Sequence, residues 1–184
     1  MKLALAFAFV TLTAATPVLA QETIPNRLIN YNEFRKIVIQ SEQERESRRL
    51  TEAQFLAMMQ EKGVVILDAR TASRYTLRHI KGAVNLPFTE FTAETLAAII
   101  PSKTTKVLIY CNNNFQGSPD AFAAKAPAAS LNLSTYTSLK AYGYTQIFEL
   151  GPLLDISKTQ LPFAGSEVKA PRLSPAASLR SGRR

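Results

Sequence analysis

Two short apolar runs, Val64-Val65-Ile66-Leu67 and Val107-Leu108-Ile109-Tyr110, constrain this chain more than any other feature. Each is continuous rather than alternating. The first exits on Asp68 and the second on Cys111. A strand with one wet face alternates apolar and polar residues, whereas a strand covered on both faces stays apolar along its length. Segments of helical pattern lie between and after the runs, and buried strands alternating with helices build a parallel sheet. The expected fold class is therefore α/β, with a central, largely parallel sheet flanked by helices on both faces.

The flanking residues supply the punctuation. Thr51 and Gln54 form a capping pattern that opens a helix carrying Phe55, Leu56, Met58 and Met59 until Gly63 stops it. The methionines are core filler. A short helix is expected through Tyr75, followed by an irregular stretch, 79–83, and a short strand at 84–86 closed by Pro87. Thr92 caps a helix whose Leu96, Ile99 and Ile100 share one face, and Pro101 ends it. A further helix over 134–142 stops at Gly143, and a last strand spans 147–150. No internal repeat is visible.

At 184 residues the length suits one domain with a core of its own. Lys2, the apolar run 3–15 and the small-residue end Val18-Leu19-Ala20 read as a cleavable signal peptide, 1–20, and so as a periplasmic or secreted protein. The alternative is a retained anchor, although the run is shorter than the roughly 20 residues of a spanning helix. No later segment could span a bilayer. Residues 21–49 read as a polar, partly helical extension, in which 41–49 alternates acids and bases like a solvated helix or linker. The domain proper is expected over 50–165, and 166–184 as a disordered basic tail.

The net charge of +8 raises the question of nucleic acid. Half of it comes from the tail, where Lys169, Arg172, Arg180, Arg183 and Arg184 stand against Glu167. The body carries a net charge of only +3, and no nucleic-acid partner is expected. The tail is either simply solvated or makes weak contact with an anionic surface.

The chain has one cysteine and one histidine. That excludes a tetrahedral zinc site of the usual ligands, and no metal is expected. No glycine-rich phosphate fingerprint follows any strand. Ligands of α/β sheets settle beyond the carboxyl ends of the strands, where Asp68 and Cys111 fall. After Cys111 the chain reads Asn112, Asn113, Asn114, Phe115, Gln116, Gly117, Ser118, Pro119. Asparagine tolerates turn and left-handed backbone, so the triplet suits a tight concave loop around a sulfur. Ser118 with Pro119 resembles an N-cap and the first residue of a helix. Loop N–H groups and a helix N-terminus together favour a thiolate. The plainer readings stay open: a buried inert cysteine, a surface turn of asparagines, and a structural rather than catalytic His79.

Three stretches in register resemble the rhodanese family. They are Val65 to Arg70, ending in Asp68-Ala69-Arg70; Arg78 to Pro87, with His79-Ile80-Lys81-Gly82-Ala83; and Val107 to Cys111, followed later by Ala141-Tyr142-Gly143-Tyr144. The resemblance covers about 50–154. It implies a rhodanese-like fold and a sulfurtransferase that needs no cofactor. Cys111 would be the nucleophile, taking sulfur as a persulfide from a small anionic donor such as thiosulfate and passing it to a thiol or cyanide. Asn112, Asn113, Asn114, Phe115 and Gln116 would form the substrate-binding loop, and Asp68, Arg70 and His79 would brace the site. The second reading is a rhodanese-like binding or sulfur-carrier module with little turnover.

The sequence also departs from the family pattern. Arg74 replaces an acidic residue, Arg78 replaces a glycine, residues 115–130 look like an insertion, and Gly151-Pro152 stands where Gly-Gly and Trp elements are expected. The insertion forms either a lid or a displacement of the helix that should point at the sulfur. Gly117 occupies the position where phosphatases of this fold carry an arginine, which disfavours phosphoryl chemistry.

Overall fold

The two apolar runs become neighbouring parallel strands, β2 (Val65–Asp68) and β5 (Val107–Tyr110), with Val65 opposite Val107 and Asp68 opposite Tyr110. The other side of β5 pairs with β7 (Ile147–Leu150). Two-residue strands close the edges, β1 (Arg49–Leu50) beside β7 and β4 (Val84–Asn85) beside β2. The order is β1-β7-β5-β2-β4, and every pairing is parallel.

The computed structural model describes residues 24–168; the expected signal peptide at 1–20 and the tail beyond residue 168 lie outside them. The chain divides into two units, Met1–Asn30 and Tyr31–Arg184. In the first, residues 24–30 are irregular, with a turn closed from the Ile29 N–H to the Asn26 carbonyl at 3.3 Å. The sheet and the site belong to the second. Among the described residues no helix is long and apolar enough to cross a membrane.

Alternate strand residues enter two cores, which is why the runs carry no polar positions. On one face Ile66, Leu108, Tyr110 and Leu150 meet Phe55 of helix α2 (Glu52–Met59). On the other, Leu67, Val107, Ile109 and Ile147 meet Leu96 of α4 (Ala93–Ile99) and Tyr136 and Leu139 of α5 (Leu131–Ala141). Thr51 and Gln54 close a reciprocal capping box on α2, and Thr92 caps α4. Gly143, at φ +85°, ends α5, and the Tyr144 N–H returns to the Leu139 carbonyl at 3.0 Å.

Helix α1 (Tyr31–Arg48) precedes the sheet. Its charged second half is not merely solvated. Arg45 donates to the buried Glu149 at 2.6 Å, Glu44 accepts from Lys140 of α5 at 2.7 Å, and Arg48 donates to Gln146 at 3.0 Å. The alternation of acids and bases there serves partners on α5 and around β7.

Two small sheets lie apart from the central one. Strands β3 (His79–Ile80) and β9 (Phe163–Ala164) pair antiparallel; β6 (Phe115–Gln116) and β8 (Leu154–Asp155) pair parallel. A short helix, α3 (Ala72–Leu77), follows β2. Beyond β9, the N–H groups of Ser166 and Glu167 bond to the Thr76 and Leu77 carbonyls.

Two expectations need correction. Helix α5 begins at Leu131 rather than 134, with Ser130 at its N-cap. No helix starts at Ser118-Pro119. A single turn forms there, closed from the Phe122 N–H to the Ser118 carbonyl at 2.7 Å. The Ser118 hydroxyl is engaged elsewhere, by Glu167 Oε2 at 2.6 Å.

Candidate active site

Asp68 and Tyr110 end adjacent strands in register, so their side chains meet below the sheet's carboxyl edge. The Tyr110 hydroxyl donates to Asp68 Oδ2 at 2.5 Å and accepts the Ile80 N–H at 3.1 Å. Arg70 donates to the same carboxylate through Nε and Nη2, and its two terminal nitrogens reach the Ala121 and Arg78 carbonyls at 2.9 and 2.8 Å. Asp68 and Arg70 are both buried. Burial pushes the Tyr110 phenol well above its ordinary value, with the Asp68 charge adding to the effect. Burial would lower the Arg70 guanidinium, but hydrogen bonding and attraction to Asp68 outweigh it and leave it raised. A buried charge pair with its donors and acceptors satisfied is a rigid brace.

His79 is occupied locally. Its Nδ1–H donates to the Tyr75 carbonyl at 2.7 Å, and its ring stacks on Tyr75 with centroids 3.7 Å apart. Tyr75 in turn donates to the Ala83 carbonyl at 2.7 Å. The residue ties α3 to β3.

Cys111 leaves β5 in an extended conformation and is 1% exposed. Residues Asn112–Asn114 then form one 3₁₀ turn. The Asn114 N–H is shared between the Cys111 carbonyl, at 3.2 Å, and Sγ. The Cys111 N–H donates to Asn114 Oδ1 at 2.8 Å, and Asn132 Nδ2 donates to the same oxygen at 3.1 Å. Ser130 Oγ lies 3.5 Å from Sγ. The sulfur thus meets one backbone N–H and one hydroxyl, not the ring of N–H groups expected of a curled loop.

The asparagines explain the difference. Among the described residues only glycines have positive φ, so none of the three adopts the left-handed conformation their type permits. Their carboxamides instead hold backbone elsewhere. Asn112 Nδ2 donates to the Ala123 carbonyl at 2.7 Å, and Asn114 Nδ2 to the Leu150 carbonyl at 2.7 Å. Asn113 makes a reciprocal pair with Lys125, donating to its carbonyl at 2.8 Å and accepting its N–H at 2.9 Å. Phe115 and Gln116 leave the loop altogether, because β6 pairs with β8. Phe115 is buried in a cluster with Phe122, Phe163 and Tyr110, while Gln116 is exposed.

Residues 117–130 form a cover held by side chains of the site. Arg70 grips Ala121, Asn112 grips Ala123 and Asn113 grips Lys125; Ala121 and Phe122 are themselves buried. The cover ends in a 3₁₀ turn, Pro127–Ala129, that delivers Ser130 and the start of α5 beside Cys111. The insertion therefore delays the helix along the chain while its first residues still come beside the sulfur.

Next to this arrangement is a cavity of about 390 Å³. Asn112 and Leu131, which adjoin Cys111 and Ser130 in sequence, line it together with Phe88, Arg70, Arg74 and Lys125. No carboxylate is in the lining. Sequence reasoning missed Tyr110, Ser130 and Lys125. Strand register supplies a signal for Tyr110, since it ends the run parallel to the one ending at Asp68. Nothing local marks the other two.

The sequence model of the rhodanese-like domain matches residues 51–150. The thiosulfate sulfurtransferase PspE of Escherichia coli K12 is 29% identical over 91 residues, covering 50% of this chain and 72% of that protein. Among solved structures, the BH2092 protein of Bacillus halodurans aligns with a TM-score of 0.48 at 17% identity, covering 72% of this chain and 88% of its own. The Alr3790 protein of Anabaena aligns at 0.46 with 19% identity, covering 63% and 80%. The match to the domain model spans more than half of the chain and includes Asp68, Arg70, His79 and Cys111, and this protein belongs to the rhodanese-like domain family.

Proposed function

We propose that this protein is a sulfurtransferase that carries a sulfane sulfur on Cys111. The observation that supports it most directly is the placement of the family's cysteine at a strand end, against the Asn114 N–H and the Ser130 hydroxyl and beside a cationic cavity without carboxylates. The Cys111 thiolate attacks the outer sulfur of a donor such as thiosulfate. A new S–S bond forms, the donor's S–S bond breaks, and sulfite leaves with the electron pair. A thiolate or cyanide then attacks the outer sulfur of the persulfide, and Cys111 departs as thiolate. The Asn114 N–H and Ser130 hydroxyl donate to the sulfur through both steps. Asp68, Arg70 and His79 hold the surrounding backbone. Transfer also requires the cover to move, since Cys111 is almost wholly enclosed.

That enclosure favours a second reading, a persulfide carrier with little turnover. Mass spectrometry after thiosulfate treatment, with a cyanide-dependent thiocyanate assay on wild type and Cys111→Ser, separates the two. The sulfurtransferase gains one sulfur and makes thiocyanate only with Cys111 present. Loading without turnover selects the carrier; no loading from several donors ends both. An exported location rests on the pattern at 1–20. Secretion of a reporter fused behind those residues tests it, and retention of the reporter with an uncut leader refutes it.

A further inference from the structure

Helix α1 is tied to the domain by its second half, where Arg45 and Glu44 reach Glu149 and Lys140 and Ser41 is buried. The first half is different. Nine of the ten residues 31–40 are exposed, among them Tyr31 at 73%, Phe34 at 53% and Val38 at 38%. A helical stretch of fewer than about 12 residues is marginal in water unless a tertiary surface packs on it, and apolar residues at this spacing form the stripe that would face one. The stripe borders a groove of about 600 Å³ between α1 and α5. Phe34, Val38 and Ser41 line it from α1 and Leu133 and Thr137 from α5, while Phe88 lines both this groove and the cavity beside Cys111.

The charges along the groove select its occupant. Glu42 lines it, and Arg35 stands seven residues earlier, about two turns away on the same side of the helix. Among the described residues neither side chain has a hydrogen-bond or ion-pair partner, whereas Arg45 is neutralised by Glu149. The chain thus offers an apolar ridge, an adjoining groove, and one unpaired charge of each sign on one flank. A twofold pairing needs this self-complementarity, because each copy presents the same patch to the other. In a parallel pair equivalent residues run level, which leaves Arg35 and Glu42 two turns apart. An antiparallel pair centred between Val38 and Ile39 sets Arg35 of each copy level with Glu42 of the other, twice by symmetry.

We propose that the groove is filled by a second copy of this chain. Two molecules pair antiparallel through the first halves of their α1 helices; Phe34 and Val38 of each enter the groove of the other, and Arg35 of each meets Glu42 of the other. The second copy also packs on Phe88, and so backs one wall of the cavity beside Cys111.

The test is sedimentation velocity of the full chain over a concentration series. Wild type passes from monomer to dimer. Phe34→Ser raises the dissociation constant roughly hundredfold, because two half-exposed rings lose their cover, while the unfolding midpoint measured at monomeric concentration stays where it was. Arg35→Glu and Glu42→Arg each raise the constant roughly tenfold, since like charges then face each other twice. The double variant, Arg35→Glu with Glu42→Arg, returns it close to the wild-type value, a restoration that a general loosening of the fold would not produce. The proposal is overturned if wild type stays monomeric throughout the series, or if it dimerises and the charge exchange restores nothing. A monomer that floats with phosphatidylglycerol vesicles, and ceases to do so as Phe34→Ser, also overturns it and gives this face to a lipid surface.

Discussion

The hydroxyl of Ser130 lies 3.5 Å from the sulfur of Cys111, although 19 residues separate them in the chain. Ser130 is the N-cap residue of α5, yet its side chain makes no capping bond to the helix backbone, so the hydroxyl is free to serve the sulfur. Ser130→Ala is expected to slow persulfide formation roughly tenfold, the worth of a hydrogen bond to a charged group, while the denaturation midpoint barely moves. Single-turnover loading with thiosulfate measures it. An unchanged loading rate removes Ser130 from the chemistry.

The cover gives a second expectation. Asn112, the residue after a cysteine that is 1% exposed, holds the Ala123 carbonyl at 2.7 Å. One neutral hydrogen bond is worth about 1 kcal/mol, so Asn112→Ala should raise the open population, and with it the rate of Cys111 alkylation by iodoacetamide, about fivefold. Equal alkylation rates in the two proteins would show that the segment does not limit access.

Tyr110 tests the brace. Tyr110→Phe keeps the ring in its cluster and deletes the hydroxyl that donates to Asp68 and accepts the Ile80 N–H. A loss of about 2 kcal/mol in urea unfolding is expected, because the bond to the carboxylate is buried and charge-assisted. A change within about 0.5 kcal/mol, the ordinary range of surface substitutions, would mean that Arg70 satisfies Asp68 alone.

Stability toward alkali should depend on Tyr136. Burial, and then the charge of Glu44, pushes its phenol up to about 12 from an ordinary 10. The folded state thus holds this proton more tightly than the unfolded chain does. The corresponding stability is complete below pH 10 and is lost as pH rises from 10 through about 12. Tyr136→Phe should flatten the fall in unfolding free energy across that window, as read from urea titrations at its two ends. Parallel curves for both proteins would assign the loss to other groups.

Local features carried the frame of this protein. Both-face burial of the strands was legible in two runs with no polar position, because side-chain alternation is a property of the backbone. The threonine caps at 51 and 92 and the stop at Gly143 were legible for the same reason, since each needs only a few consecutive residues. The exit of Cys111 from the end of a strand followed from these, as did the closeness of Asp68 to Arg70.

What surrounds the sulfur depended on residues far apart in the chain. Asn113 finds Lys125 across 12 positions, Cys111 finds Ser130 across 19 and Arg70 finds Ala121 across 51. An asparagine triplet has the same local preferences whether it cradles an anion or holds a neighbouring segment. The second role is the one seen: the backbone of residues 117–130 has no strand or regular helix of its own apart from one 3₁₀ turn, and its carbonyls at Ala123 and Lys125 take their donors from the Asn112 and Asn113 side chains. Periodicity placed the cysteine; the hydrogen-bond demands of an irregular segment folded against it set its surroundings.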